Sequence, residues 1–188
     1  MGSEAATLRR RGGRVNEPPG ITVGPVESRH RMRIREILRG TGNFRDYEID
    51  VALELFDESF ADDEDYVFVG AFRNSIPDLL GFACYGPSMG TDRTFDLYWI
   101  AVDRAAQGTG CGSVLLAEVE RRLEALNARL LVIETSSRSD YDATRGFYRK
   151  RGYGEAARVR EFYAPDDDRI ILTKRLAGSP REGLGVVA

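Results

Sequence analysis

The sequence predicts an α/β domain of the α+β type. It expects a single mixed, mostly antiparallel sheet of about seven strands with helices on both faces. Three observations predict it. Apolar runs of strand length alternate with stretches of helical period. The three central runs follow one another across tight turns, as in an antiparallel meander. One of those runs passes through a glycine-rich loop straight into a helix.

Taken in order, the elements read βααβββαβαββ. Residues 1–20 are rich in Arg, Gly and Pro, and are expected to form a flexible N-terminal arm. Residues 21–27 make a short strand. Residues 29–39 make a helix with Met32, Ile34, Ile37 and Leu38 as its apolar positions. A second helix over 46–60 repeats Ile49, Leu53 and Phe56 at helical spacing, and the acidic run 62–65 breaks the chain.

Strands at 66–72, 79–85 and 95–102 follow, divided by turn signals at Asn74-Ser75-Ile76-Pro77 and Gly86-Pro87. The helix over 113–126 aligns Leu115, Leu116, Val119, Leu123 and Leu126, and pairs Glu118 with Arg122. A buried-type strand (130–134), a helix (142–151) and two closing strands (155–163 and 169–174) complete a domain over 21–176. Residues 177–188 read as a loose tail.

Composition narrows the function. Hydrophobic residues make up 42% and charged residues 30%, with a net charge of −3. That balance gives neither nucleic acid nor an anionic membrane a basic surface to grip, so neither is expected as a partner. Two cysteines, Cys84 and Cys111, and a single histidine, His30, fit no metal spacing, so no metal is expected. His30 reads as an exposed polar residue at a helix start. With no apolar leader in the first residues, a cytoplasmic location with reduced thiols is expected.

The chemistry concentrates in VDRAAQGTGCGSV, residues 102–114. A strand ending in glycines and restarting as a helix presents unpaired N–H groups and a positive dipole end, which together favour an anion. The P-loop is excluded because no Lys follows the glycines. The dinucleotide fingerprint would need glycine at Ser113 and a parallel βαβ setting. A purely structural strand-to-helix turn stays open on the loop alone.

Gln107-x-x-Gly110-x-Gly112, preceded by Ile100-Ala101-Val102-Asp103, resembles the acyl-CoA signature of the GNAT superfamily of N-acyltransferases. A second block, Phe147-Tyr148-Arg149-Lys150-Arg151-Gly152-Tyr153, is similar to that family's tyrosine-bearing helix end. The resemblance spans residues 21–176 and includes the element order. It implies acetyl-CoA as donor co-substrate and an amine as acceptor, and it is compatible with a homodimer.

By this resemblance the CoA site is Ile100, Ala101, Val102, Gln107, Gly108, Thr109, Gly110, Cys111, Gly112 and Ser113. Backbone N–H groups from Gly108 to Gly112 would meet the pyrophosphate, with the Ser113 hydroxyl beside them. Peptide groups of Ile100 and Val102 would pair with pantetheine, and the Ile100 N–H would polarise the thioester carbonyl. Cys111, at a helix start, is open to two readings: a small residue of the motif, or an acyl-accepting thiolate.

The resemblance also places Tyr148 as the general acid for the departing thiolate; a core tyrosine is the alternative. Asp96, four residues before Ile100, matches the family's water-assisted base, with Glu134 in reserve and a plain surface carboxylate as the alternative. Where relatives carry Asn this chain has Tyr141, so helix capping is expected to pass to Asp140 or Ser139.

The acceptor is expected between the loop at 40–45 and the hairpin at 162–168. Asp166, Asp167 and Asp168 favour a cationic amine if they face the cleft, and are otherwise a solvated tip. A longer acyl donor depends on space near Phe95 and Tyr98. A non-catalytic acyl-CoA-binding module on the same fold is the rival reading.

Overall fold

A computed structural model describes residues 20–60, 66–73 and 76–176. The expected arm (apart from Gly20), the acidic break at 62–65 and the expected tail lie outside the described residues. The strands are β1 (Ile21–Pro25), β2 (Val67–Arg73), β3 (Ile76–Pro87), β4 (Thr94–Val102), β5 (Leu130–Ser136), β6 (Gly154–Ala164) and β7 (Asp167–Arg175). The helices are α1 (Arg31–Thr41), α2 (Asp46–Glu58), α3 (Cys111–Ala125) and α4 (Asp142–Arg149).

The seven strands form one mixed open sheet in the order β1-β2-β3-β4-β5-β7-β6. Every neighbouring pair is antiparallel except β4 and β5, which run parallel. Helices cover both faces because each has one apolar stripe to bury. Ile34, Ile37 and Leu38 of α1 and Ile49, Leu53 and Phe56 of α2 pack on Phe68, Leu79, Phe82 and Ala101. On the other face Leu115, Leu116, Val119 and Leu123 of α3, with Tyr148 and Tyr153, pack on Leu97, Leu131, Ile133 and Leu172. Each such aliphatic side chain, fully buried, contributes about 1.5–3 kcal/mol before entropy is counted.

Several boundaries differ from expectation for local reasons. The first helix starts two residues late because a 3-10 turn, Ser28–His30, precedes it. His30 Nδ1 accepts the Glu27 N–H at 2.9 Å and its ring lies 5.4 Å from Phe72, so His30 is half-buried rather than exposed. The closing hairpin is longer than its polar sequence suggested: only Pro165 and Asp166 form the turn, with Asp166 at φ 61°.

The feature that positions the site is an irregularity in β4. Cys84 of β3 faces Trp99 while Tyr85 faces Leu97, so Tyr98 is an extra, bulged residue. The bulge resets the alternation of side chains. Phe95, Leu97, Ile100 and Val102 all pack under α3, whereas Trp99 and Ala101 pack under α1 and α2. Past the bulge β4 also leaves its parallel neighbour. Pairing with β5 ends at Leu97 and Ile133, and both strands continue apart. Among the described residues, no helix is long and apolar enough to cross a membrane.

Candidate functional site

The split between β4 and β5 exposes backbone. The Asp103 N–H donates to Leu80 O at 2.7 Å, so alternation aims the peptide groups of Ala101 at β3. The peptide groups of Ile100 and Val102 then face the split. The Val102 carbonyl is met there by Gln107 Nε2 at 3.3 Å. Ala101 itself is buried under α1 and α2 and serves the β3–β4 ladder rather than the slot.

The glycine loop is anchored at its entry. The Asp103 carboxylate accepts the Ala105 N–H at 2.8 Å, capping the 3-10 turn Arg104–Ala106, and takes Arg33 Nη2 of α1 at 2.5 Å. The Ala105 N–H first, and then Arg33, hold that carboxyl below the usual carboxylate range. Thr109 Oγ1 donates to Ala106 O at 2.6 Å.

Gly108 (φ 77°) and Gly110 (φ 92°) take left-handed conformations that other residues rarely adopt. The N–H groups of Ser113 and Val114 close on Gly110 O at 2.9 and 3.1 Å. Those of Cys111 and Gly112, the first two helical residues, have no intrahelical acceptor and open outward. A Cβ at Gly112 would stand 3.5 Å from the Phe147 ring, so α4 flanks the loop closely.

Arg151 stands beside this loop. Its guanidinium lies 3.7 Å over the Phe147 ring, donates to Phe147 O at 2.7 Å and hydrogen-bonds the Ser113 hydroxyl. Among the described residues it makes no ion pair, so its charge adds to the dipole end of α3. It lies inside the tyrosine block, yet spacing alone gave it no role.

Cys111 does not fit an acyl-accepting thiolate. Its side chain is buried in the α3 core cluster, and burial pushes the thiol up to about 11. Only its N–H faces the loop. Tyr148 is 3% exposed, packed edge-on between Phe147 and Tyr153. Burial raises its phenol above the ordinary range, and among the described residues its hydroxyl has no hydrogen-bond partner.

Across the sheet, a cavity of about 450 Å³ lies between α2, the split and the closing hairpin. Asp96, Leu97, Trp99, Val132 and Glu134 of the two parting strands line it. Asp96 accepts a hydrogen bond from the Ser88 hydroxyl. Glu134 is bound to Arg169, which makes it the less available base. Asp96 and Tyr148 therefore lie on opposite faces of one sheet, Asp96 one residue before the last paired position of β4 and β5.

Some expectations change. Neither Asp140 nor Ser139 caps α4: its N-cap is Tyr141, without a side-chain bond, and Asp140 pairs with Arg138 at 2.6 Å. The turn is held instead by Arg145, which donates to the carbonyls of Ser136 and Arg138. Of the three hairpin aspartates, only Asp167 lines the cavity, bound there to the Ser136 hydroxyl. Asp168 accepts the Glu161 N–H at 2.9 Å and pairs with Arg158. The cavity lies between the loop at 40–45 and the hairpin at 162–168, lined there by Asn43, Phe44, Arg45, Tyr163 and Asp167, but sequence reasoning missed Glu48 and Trp99 as further walls. Tyr141 was noticed only as a departure, and its hydroxyl donates to Asn43 O at 2.9 Å.

Among the described residues, no group of three or more His, Cys, Asp or Glu is placed to hold a metal ion.

The fold recurs in known proteins. The model of the Acetyltransferase (GNAT) family matches residues 32–153. A structure from Desulfovibrio desulfuricans, described as a GNAT-family acetyltransferase, is 38% identical, with TM-score 0.79, covering 84% of this chain and 99% of that one. The ribosomal-protein-S18-alanine N-acetyltransferase of Escherichia coli superposes with TM-score 0.70 at 20% identity, over 87% of this chain and 98% of the other. An aminoglycoside 6′-N-acetyltransferase complexed with coenzyme A does so at 0.67 and 16%, over 85% and 99%. A comparison with curated proteins gave no match.

Proposed function

The chain belongs to the GNAT acetyltransferase family, and we propose that it moves an acetyl group from acetyl-CoA to a primary amine by direct transfer in a ternary complex. The carrying observation is the parting of β4 and β5 at Leu97 and Ile133, with an acidic cavity on one face and a partnerless phenol on the other.

In this reading the N–H groups of Gly108, Gly110, Cys111 and Gly112 hold the diphosphate, with Arg151 and the Ser113 hydroxyl beside them. Gln107 and Thr109 brace the loop through Val102 O and Ala106 O. Pantetheine lies in the split along Ile100 and Val102. The Ile100 N–H receives the charge that grows on the thioester oxygen, a donor role worth about 2.7–4 kcal/mol in comparable sites.

The amine enters from the cavity and gives its proton, through water, to Asp96. Nitrogen attacks the carbonyl carbon, the C–N bond forms and the C–S bond breaks. Tyr148 donates its phenolic proton to the leaving thiolate. Burial raises the phenol, so the proton is in place near neutral pH while its release to the thiolate becomes harder. The cytoplasm is the compartment this reading implies.

The test is thiol release from acetyl-CoA over a panel of amines and of peptides with free N-termini. Release that depends on acceptor, with an equal amount of acetylated amine, is expected. Tight acetyl-CoA binding with silence across the panel would leave a binding module instead.

A further inference from the structure

We infer that the acceptor is a small cationic amine with an apolar body and no carboxylate. This rests on the acetyltransferase reading above, and it comes from what lines the cavity beyond Asp96.

Charge is the first argument. The lining holds the carboxylates of Glu48, Asp96, Glu134 and Asp167 and the guanidiniums of Arg45 and Arg138; Glu134 is already bound to Arg169, and Asp167 lies 4.0 Å from Arg138. Both guanidiniums are engaged. Arg138 makes two hydrogen bonds to Asp140, at 3.1 and 2.6 Å, and Arg45 is exposed and donates to the Tyr47 hydroxyl at 3.1 Å. Glu48 and Asp96, by contrast, have no cationic partner among the described residues. Glu48 accepts only the Arg45 N–H at 2.7 Å, and Asp96 only the Ser88 hydroxyl. An ammonium entering here meets two carboxylates whose charge is not yet neutralised; a carboxylate entering here meets the same two as repulsion. The phenols of Tyr141 and Tyr163 register this field: burial raises both, and the charges of Glu48 and Asp167 raise them further.

Shape is the second argument. Phe44, Trp99 and Tyr163 supply ring faces and edges that suit a cation and the hydrocarbon attached to it. The bond from Tyr141 to Asn43 O joins two walls, the turn before α4 and the α1–α2 loop. At about 450 Å³ the cavity has the size of a small-molecule site. Thr135, also in its lining, keeps a buried hydroxyl without a partner among the described residues, a free polar contact for an occupant.

The experiment compares matched acceptors in the thiol-release assay: 2-phenylethylamine against phenylalanine, cadaverine against lysine, and a tripeptide with a free N-terminus. Each decarboxylated amine is expected to exceed its amino acid in kcat/KM by at least about tenfold. Glu48→Gln keeps the hydrogen bond that starts α2 while removing the charge, and is expected to narrow that ratio by lowering kcat/KM more for each decarboxylated amine than for its amino acid. Preference for the amino acids or the peptide, or an unchanged ratio in Glu48→Gln, overturns the inference and leaves acetyl transfer standing. Silence with every acceptor overturns acetyl transfer itself, and this inference with it.

Discussion

Asp96 and Glu134 show how partners, rather than residue type, decide a role. Both are carboxylates on the cavity side of parting strands, but Glu134 is bound to Arg169 while Asp96 is held only by the Ser88 hydroxyl. Asp96→Asn is therefore expected to lower kcat by about 10²-fold, within the range for a positioned general base. Glu134→Gln should change it by less than about threefold, since it removes half of an exposed ion pair. Steady-state kinetics on both variants decides the point; the reverse order would move the base to Glu134. Arg151 makes a second residue-scale prediction. Arg151→Met keeps most of the packing on Phe147 but removes the charge beside α3, so KM for acetyl-CoA should rise about fivefold, the worth of one partly exposed dipole-side charge. Its kcat should hold, and a fall in kcat at unchanged KM would contradict this placement.

At the scale of elements, the glycine loop separates two uses of glycine. Gly110 stands at φ 92°, where an alanine would cost about 1–2 kcal/mol in stability. Gly112 is helical, and a Cβ there meets only ordinary contacts, 3.5 Å to Phe147 and 3.7 Å to Val102. Gly112→Ala should thus melt like the wild type yet bind acetyl-CoA more weakly, whereas Gly110→Ala should lose both. Thermal melting and calorimetry on the pair check it; unchanged affinity in Gly112→Ala would mean that no ligand approaches its backbone.

This loop was legible in the sequence because left-handed backbone needs glycine, and the element order was legible because helical and strand periods differ. The bulge at Tyr98 was not, because residues 97–102 are apolar without a break and only the packing shows the inward positions shifting from 95 and 97 to 100 and 102. The cavity was legible in its bounding segments, the loop at 40–45 and the hairpin at 162–168, but not in most of its walls. Glu48, Trp99, Tyr141 and Tyr163 come from four elements, and only the fold brings them together. The hairpin aspartates were legible in part: Asp167 lines the cavity and Asp166 is an exposed turn residue, as the two open readings allowed, but Asp168 fits neither. Asp168 satisfies the N–H of Glu161, whose φ of 49° marks a break in the β6 ladder, a need that residue type alone does not announce.

Over the whole molecule the sheet carries two different edges of function. Its middle is opened to admit a ligand, while its outer strand β6 lies exposed from Gly154 to Tyr163 and is guarded by Arg158, Arg160 and Glu161 and by its irregular register. Burial of titratable groups has a global consequence. Cys111 is raised to about 11, and Cys84, Tyr148 and Tyr153 are raised by burial as well. A group whose folded value exceeds its unfolded one keeps its proton longer in the folded chain. Above about pH 8.5 the unfolded chain releases thiol protons first, so stability falls as pH rises. The Tm is expected to hold near neutrality and decline from pH 9 to 11. Cys111→Ala should make that decline shallower; an equally steep decline would show that this thiol is not what the folded state protects.

The account depends most on transfer through the split, with Tyr148 supplying the proton. The direct measurement is acceptor-dependent thiol release at saturating acetyl-CoA, wild type against Tyr148→Phe, with acetyl-CoA affinity measured on the same samples. The prediction is a fall in kcat of about 10²-fold or more with affinity nearly unchanged. Equal turnover in the two proteins would contradict it.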